Sequence, residues 1–243
     1  MNRKAAAQFI ALASAAIARS GRFAVALSGG STPKALYSSL ASPEFRERVD
    51  WPRVHLFWGD ERCVAPDHPD SNFRMVRENL LAKIQLPSAN IHRIVGEKEP
   101  RQAVIAYEAE LKVFFGASGG ALPCFDLIFL GLGDDGHTAS LFPGSAALAE
   151  TEHLVAAVYV EKLRSHRLTL TLPVINAAVQ ATFLVSGESK AKIVREILVP
   201  YSVACNYPAA KVRPSNGRLT WVIDADAAKE LPLGIIEETG VLE

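Results

Sequence analysis

The sequence predicts an α/β protein, a three-layer α/β/α arrangement around a mostly parallel sheet, and three observations carry that prediction. Short apolar runs of strand length alternate with longer segments of helical periodicity. Several of the runs are continuously apolar, as strands covered on both faces are. Four of them end in glycine-bearing turns, LSGGSTP, WGDER, GLGDDGH and VSGESK, which in a parallel sheet would gather on one edge.

The elements follow in chain order. MNRKAAAQFIALASAAIARS places Phe9, Leu12, Ala16 and Ile17 on one helical face, and Gly21 supplies a stop. The basic start and small residues of this stretch resemble a secretory signal. Alanine is a weak substitute for a leucine-rich centre, however, and Gln8 interrupts it, so a core helix is expected. Strands are expected at Phe23 to Leu27, Val54 to Trp58, Phe125 to Leu130, Leu154 to Val160, Arg167 to Leu172, Ala181 to Val185 and Leu219 to Ile223. Helical patterns occupy Ser71 to Lys83, roughly Glu99 to Phe115, and Lys190 to Leu198. Glycines at 116, 119 and 120 mark a surface turn, and without linker, repeat or low-complexity segment the chain reads as one domain over residues 1–243.

Composition narrows the functional classes. Nearly half of the 243 residues are apolar, enough for a substantial core. The 26 basic and 26 acidic residues balance, which removes the broad cationic field of a nucleic-acid binder and leaves any phosphate recognition to local sites on a small ligand. No apolar run reaches the length of a membrane span. Cys63, Cys124 and Cys205 are widely separated and form no metal-ligand pattern with histidine, so a reduced cytoplasmic setting without metal is expected, with Cys63 an inert small residue.

The four turns carry the chemistry. In LSGGSTP, Gly29 and Gly30 let backbone approach a ligand, Ser31 and Thr32 offer hydroxyls, and Pro33 suits the start of the following helix. That is an anion cradle at a helix N-terminus or an ordinary strand-to-helix turn; this stretch alone does not separate them. WGDER sets Asp60, Glu61 and Arg62 at a strand end, as a solvated loop with an internal ion pair or as a carboxylate and a guanidinium working on one substrate.

GLGDDGHTASLFP contains G-x-G-x-x-G, the dinucleotide fingerprint, but Pro143-Gly144 stops the expected helix after about five residues, too short for a βαβ crossover. What the stretch does deliver is His137, in the first turn of that short helix, where the helix dipole keeps an imidazole neutral and fit to act as a general base. Asp135 either caps the helix or orients the ring. VSGESKA approaches a nucleophile elbow around Ser189, yet all histidines, the last at position 166, precede it, against the order of an α/β-hydrolase. Lys190 is the better candidate there, a cation to offset a bound phosphate, with Arg167 at the start of RLTLT as a second ligand.

LSGGSTP, WGDERCV with the downstream DSNF, GLGDDGHTASLFPG, RLTLT, SGESKA and PAAKVRPSNGRLTWVID occur in this order across nearly the whole chain. Together they closely resemble the 6-phosphogluconolactonase family, in the superfamily that also holds glucosamine-6-phosphate deaminase. The deaminases are similar to GHIAFNEPG after the histidine; here the stretch is GHTASLFPG, with Leu141-Phe142 where Asn-Glu would stand, and DER replaces a DEY-like triplet.

The resemblance implies a Rossmann-like fold, no required cofactor, and hydrolysis of a small sugar phosphate lactone in the oxidative pentose phosphate pathway; a monomer or weak dimer is expected. His137 would activate water; Asp60 and Arg62 would hold the substrate and the developing charge; Ser28, Gly29, Gly30, Ser31, Thr32, Arg167 and Lys190 would bind substrate and phosphate. A deaminase or a non-catalytic sugar-phosphate sensor on the same fold are the alternatives, and the intact His137 and Asp60 argue against the sensor.

Overall fold

A computed structural model describes residues 1–199 and 206–232, so Cys205 lies outside the described residues. The chain runs through α1 (Asn2–Ser20), β1 (Phe23–Leu27), α2 (Ser31–Leu40), α3 (Pro43–Arg46), β2 (Val54–Trp58), β3 (Asp60–Arg62), α4 (Asn72–Asn79), β4 (Ile91–His92) and α5 (Pro100–Phe115). It continues through β5 (Leu127–Leu130), β6 (Val155–Val160), β7 (Ser165–Leu170), α6 (Leu172–Asn176), β8 (Gln180–Val185), α7 (Ala191–Leu198) and β9 (Arg218–Ile223).

Six strands form one parallel sheet in the order β4-β2-β1-β5-β8-β9. The chain starts in the middle at β1, moves outward through β2 and β4, then crosses to β5 and continues outward through β8 and β9. The reversal leaves a crevice beyond the carboxyl ends of β1 and β5, the place where an open sheet of this kind receives its ligand.

Register explains why the central strands are apolar on both sides. Phe23 lies level with Val54, and Ala24 with His55, so Phe23, Val25, Leu56 and Phe129 share one face while Ala26, Phe57 and Ile128 share the other. Phe9 of α1 packs on the first face, its ring 5.2 Å from Phe23 and 6.4 Å from Phe129. Phe114 and Phe115 at the end of α5 pack on the second, 4.9 and 5.7 Å from Phe57. Burying both faces removes the polar alternation of a half-exposed strand and produces the three layers.

Two of the expected strand segments, around 154–160 and 167–172, do not enter this sheet. They become β6 and β7, an antiparallel hairpin with β3 added at its edge, in the order β3-β7-β6. The connection is a single turn of 3-10 helix at Glu161–Leu163 followed by Arg164 in left-handed conformation (φ 47). A parallel crossover needs a dozen residues or more, so so short a link allows only a hairpin. This small sheet flanks the crevice and carries α5 against it.

Candidate active site

The four glycine-bearing turns do converge. Their residues line one open cleft of about 380 Å³ at the carboxyl ends of β1, β2, β5 and β8, a volume suited to a small metabolite. Ser28 to Pro33, Asp60, Arg62, His137 and Lys190 all line it.

At the end of β1 the chain turns through Ser28, Gly29 and Gly30 into α2, which begins at Ser31. No side chain caps that helix, so its first backbone N–H groups remain available to an anion. Pro33 sits three residues into the helix rather than at its first position, still within the turn where a missing N–H costs nothing. The Tyr37 hydroxyl accepts from the Ser28 N–H and donates to its carbonyl, which pins the turn. The buried Ser28 Oγ has no protein partner, a hydroxyl held at the cleft wall with its hydrogen-bonding capacity unspent. The Thr32 and Ser186 hydroxyls, 2.6 Å apart, tie this turn to the one after β8.

Asp60, Glu61 and Arg62 are not a solvated loop with an internal ion pair. They form β3, paired with Thr169, Leu168 and Arg167 of β7. Strand alternation then sorts the three charges: Asp60 and Arg62 line the cleft, and Glu61 points the other way into the protein. There Glu61 accepts from the N–H groups of Arg62, Asn72 and Phe73 at 2.7–2.8 Å and from the Ser71 hydroxyl, locking the start of α4. Burial raises its pKa in spite of those donors.

Asn72, delivered by that helix start, donates to the Asp60 carboxylate at 3.3 Å and to its backbone carbonyl at 2.9 Å, and Ser140 donates to the second carboxylate oxygen at 2.7 Å. A side chain at Gly29 would meet the Asn72 amide oxygen at 1.9 Å, so this close approach requires glycine there. Arg62 donates to the Asp70 carbonyl at 2.5 Å, which fixes the guanidinium without neutralising it.

Arg167, expected as a phosphate ligand, does not line the cleft. It stands across the β3–β7 ladder from Arg62, and burial together with that second guanidinium lowers its pKa. The two guanidinium groups together make this side of the small sheet locally positive.

The helix expected to begin at His137 is absent. The chain turns at Gly136 (φ 75) and again at Ala139 (φ 48), and the Gly133 N–H donates to the His137 carbonyl at 2.9 Å. Neither dihedral is compatible with an α-helix. Without a helix there is no dipole to hold the imidazole neutral and no N-terminus for Asp135 to cap.

Asp135 instead orients the ring: its Oδ1 lies 2.5 Å from His137 Nδ1 and also accepts from the His137 N–H at 3.2 Å. Lys162, from the turn after β6, donates to Oδ2 at 2.7 Å. Burial pushes the Asp135 pKa upward, but Lys162 and His137 outweigh it and hold the carboxyl well below its usual range. An ionised Asp135 makes Nδ1 the protonated nitrogen and leaves the lone pair on Nε2. Phe142 packs on the ring at a centroid distance of 4.5 Å.

After β8, Ser186, Ser189 and Lys190 face the cleft, and Lys190 Nζ is 2.5 Å from the exposed carboxylate of Asp134. Among the described residues no group of three or more His, Cys, Asp or Glu is placed to hold a metal ion.

Asn72, Ser140, Phe142 and Lys162 join the site without a motif of their own: Asn72 lies within DSNF, Phe142 stands out in the sequence only as an apolar residue, and nothing local marks Ser140 or Lys162.

A parallel sheet with a hydrogen-bonded imidazole, a caged carboxylate and two cations at its switch point defines a Rossmann-like enzyme acting on a small anionic metabolite. The chain matches the family described as glucosamine-6-phosphate isomerases/6-phosphogluconolactonase over residues 1–221, and it belongs to that family. It is 46% identical over 217 residues to a 6-phosphogluconolactonase of Synechocystis sp., covering 89% of this chain and 88% of the relative. It is 39% identical to the 6-phosphogluconolactonase of Rattus norvegicus, covering 87% and 81%. The solved structure of 6-phosphogluconolactonase from Trypanosoma brucei superposes with a TM-score of 0.83 at 28% identity, covering 95% of this chain and 94% of that one.

Proposed function

We infer that this chain hydrolyses 6-phospho-D-glucono-1,5-lactone to 6-phosphogluconate. The observation that carries the mechanism is the Asp135–His137 pair, whose short bond to Nδ1 leaves Nε2 as the proton acceptor at the cleft. His137 takes a proton from water, the water oxygen attacks the lactone carbonyl, and the carbonyl oxygen gains charge beside the Arg62 guanidinium. Collapse of the tetrahedral species breaks the bond to the ring oxygen, which takes up the proton held on the imidazolium. A positioned base contributes roughly a hundred- to ten-thousand-fold and oriented charge a comparable factor, which is sufficient for an already labile ester.

Asp60, held by Ser140 and Asn72, suits sugar hydroxyls rather than the oxyanion, because its own charge would repel the latter. The uncapped start of α2, with Gly30, Ser31 and Thr32, and Lys190 across the cleft receive the phosphate, with Arg167 behind Arg62 adding positive potential. Ser28 Oγ is an unspent donor for the same ligand. Leu141, fully buried, and Phe142, packed at a tilt against His137, occupy the positions where a deaminase would need a carboxylate. The unpaired thiols Cys63 and Cys124, the first with its pKa pushed up to about 11 by burial, support a reducing, cytoplasmic setting and an inert Cys63. No helix among the described residues is long and apolar enough to cross a membrane.

The test is hydrolysis of freshly generated 6-phosphogluconolactone, followed against its spontaneous background, by the wild type and by His137→Ala. Loss of nearly all enzymatic turnover in a variant with unchanged circular dichroism is expected. Near-wild-type turnover would remove His137 as the base, and ammonia release from glucosamine 6-phosphate by the wild type would replace the lactonase reading.

A further inference from the structure

We propose that Lys162 is a positioning residue of this site, a cation that clamps Asp135 and Phe142 and through them sets the orientation and basicity of His137. The proposal rests on His137 being the base. Lys162 lies in the turn between β6 and β7, in the small antiparallel sheet, whereas Asp135 and His137 come from the end of β5 in the main sheet. Its ammonium bonds Asp135 Oδ2 at 2.7 Å while Asp135 Oδ1 holds His137 Nδ1, so the carboxylate bridges cation and imidazole. The same ammonium stands 5.5 Å from the centroid of the Phe142 ring, and that ring packs on the imidazole. Both supports of His137, the carboxylate at its edge and the aromatic ring at its face, therefore meet at one lysine.

The chemistry of the pair requires tuning. A carboxylate bonded only to His137 would stabilise the imidazolium strongly and keep the ring protonated to higher pH. A second cation on the other oxygen draws off part of that charge, so Asp135 orients the ring through Nδ1 without its whole charge acting on the imidazole. For stability the contact matters little, because Lys162 is 61% exposed and solvent-exposed pairs of this kind contribute little to folding. Its removal should leave the fold intact. The other charged groups around the cleft are Asp60 and Arg62 from β3 and Lys190 with its partner Asp134; Tyr207, bonded to Glu196, packs against Gly136. All of them remain in variants at position 162.

The experiment compares Lys162→Met and Lys162→Arg with the wild type, recording pH profiles of kcat/KM and, independently of activity, the titration of His137 by imidazole NMR. Lys162→Met should lower kcat about tenfold with little change in KM, and raise the His137 midpoint and the acidic limb of the profile together by roughly half a unit to one unit. Lys162→Arg should restore both. An unshifted His137 midpoint in Lys162→Met would overturn the proposal, as would a loss of activity that Lys162→Arg does not rescue. Retained activity in His137→Ala would instead sink the underlying reading of the base, so the two failures are distinguishable.

Discussion

Gly133→Ala isolates the position of the His137 ring from the presence of the ring. A β-carbon at residue 133 would lie 1.9 Å from His137 Nδ1, 2.1 Å from Cε1 and 2.7 Å from Cγ. Ordinary contact needs about 3.5 Å, so the imidazole must retreat by roughly 1.5 Å, and it can, since a side chain yields more readily than backbone. The retreat breaks the 2.5 Å bond to Asp135 and the packing on Phe142. A misplacement of about 1 Å can already cost a hundredfold in rate, so kcat should fall by roughly two to four orders of magnitude, about 3–5 kcal/mol of transition-state stabilisation. Stability should change far less. Gly133 is not among the residues with positive φ, its backbone bonds to His137 and Gly136 do not involve the new methyl, and a loss of about 1 kcal/mol would move Tm by only about 2–4 °C. The assay is lactone hydrolysis over the spontaneous background beside a thermal melt of the same preparation. Turnover within threefold of wild type would refute the claim that activity depends on where the ring sits.

Two further outcomes test the electrostatics. Lys190→Ala should raise KM at least tenfold with a smaller effect on kcat, whereas Asp134→Asn, which releases Lys190 from its 2.5 Å ion pair, should lower KM a few-fold; movement of both in the same direction would remove Lys190 from the phosphate site. His55, bonded to His92 and facing Arg22, has its pKa lowered from 6.5 to about 4, first by burial and then by those two neighbours. Below pH 6.5 the unfolded chain protonates this histidine while the folded protein resists until about pH 4, so the contribution to stability present above that window is lost as pH falls through it. Tm should decline between pH 6.5 and 5, before most carboxylates titrate, and His55→Phe should flatten that decline.

The sequence made the scaffold legible where structure is local. β1 and β2 fall on the expected residues, and α1 ends at Gly21, because continuous apolar runs and a left-handed glycine stop are decided within a few residues. β3 was not legible as a strand. Asp, Glu and Arg have little intrinsic preference for one, and only pairing with β7, more than a hundred residues later, makes it so. The His137 segment was legible as chemistry and misread as conformation, since positive φ at Ala139 is not something an alanine announces. Ser140 and Lys162 act on Asp60 and Asp135 from 80 and 27 residues away, separations no motif spans.

The pairing of DER as a strand has a functional consequence. In a loop, three adjacent charges could satisfy one another, and neither Asp60 nor Arg62 would be committed to a ligand. In a strand, successive side chains point to opposite faces, so Glu61 is carried away from its neighbours into a nest of backbone donors at the start of α4. Asp60 and Arg62 then face the cleft without Glu61 to neutralise the guanidinium. The same Glu61 that is withdrawn from the site fixes the helix start that sends Asn72 back to Asp60. Alternation along three residues thus separates a structural carboxylate from a ligand-binding one, which neither the identity of the residues nor their adjacency could reveal.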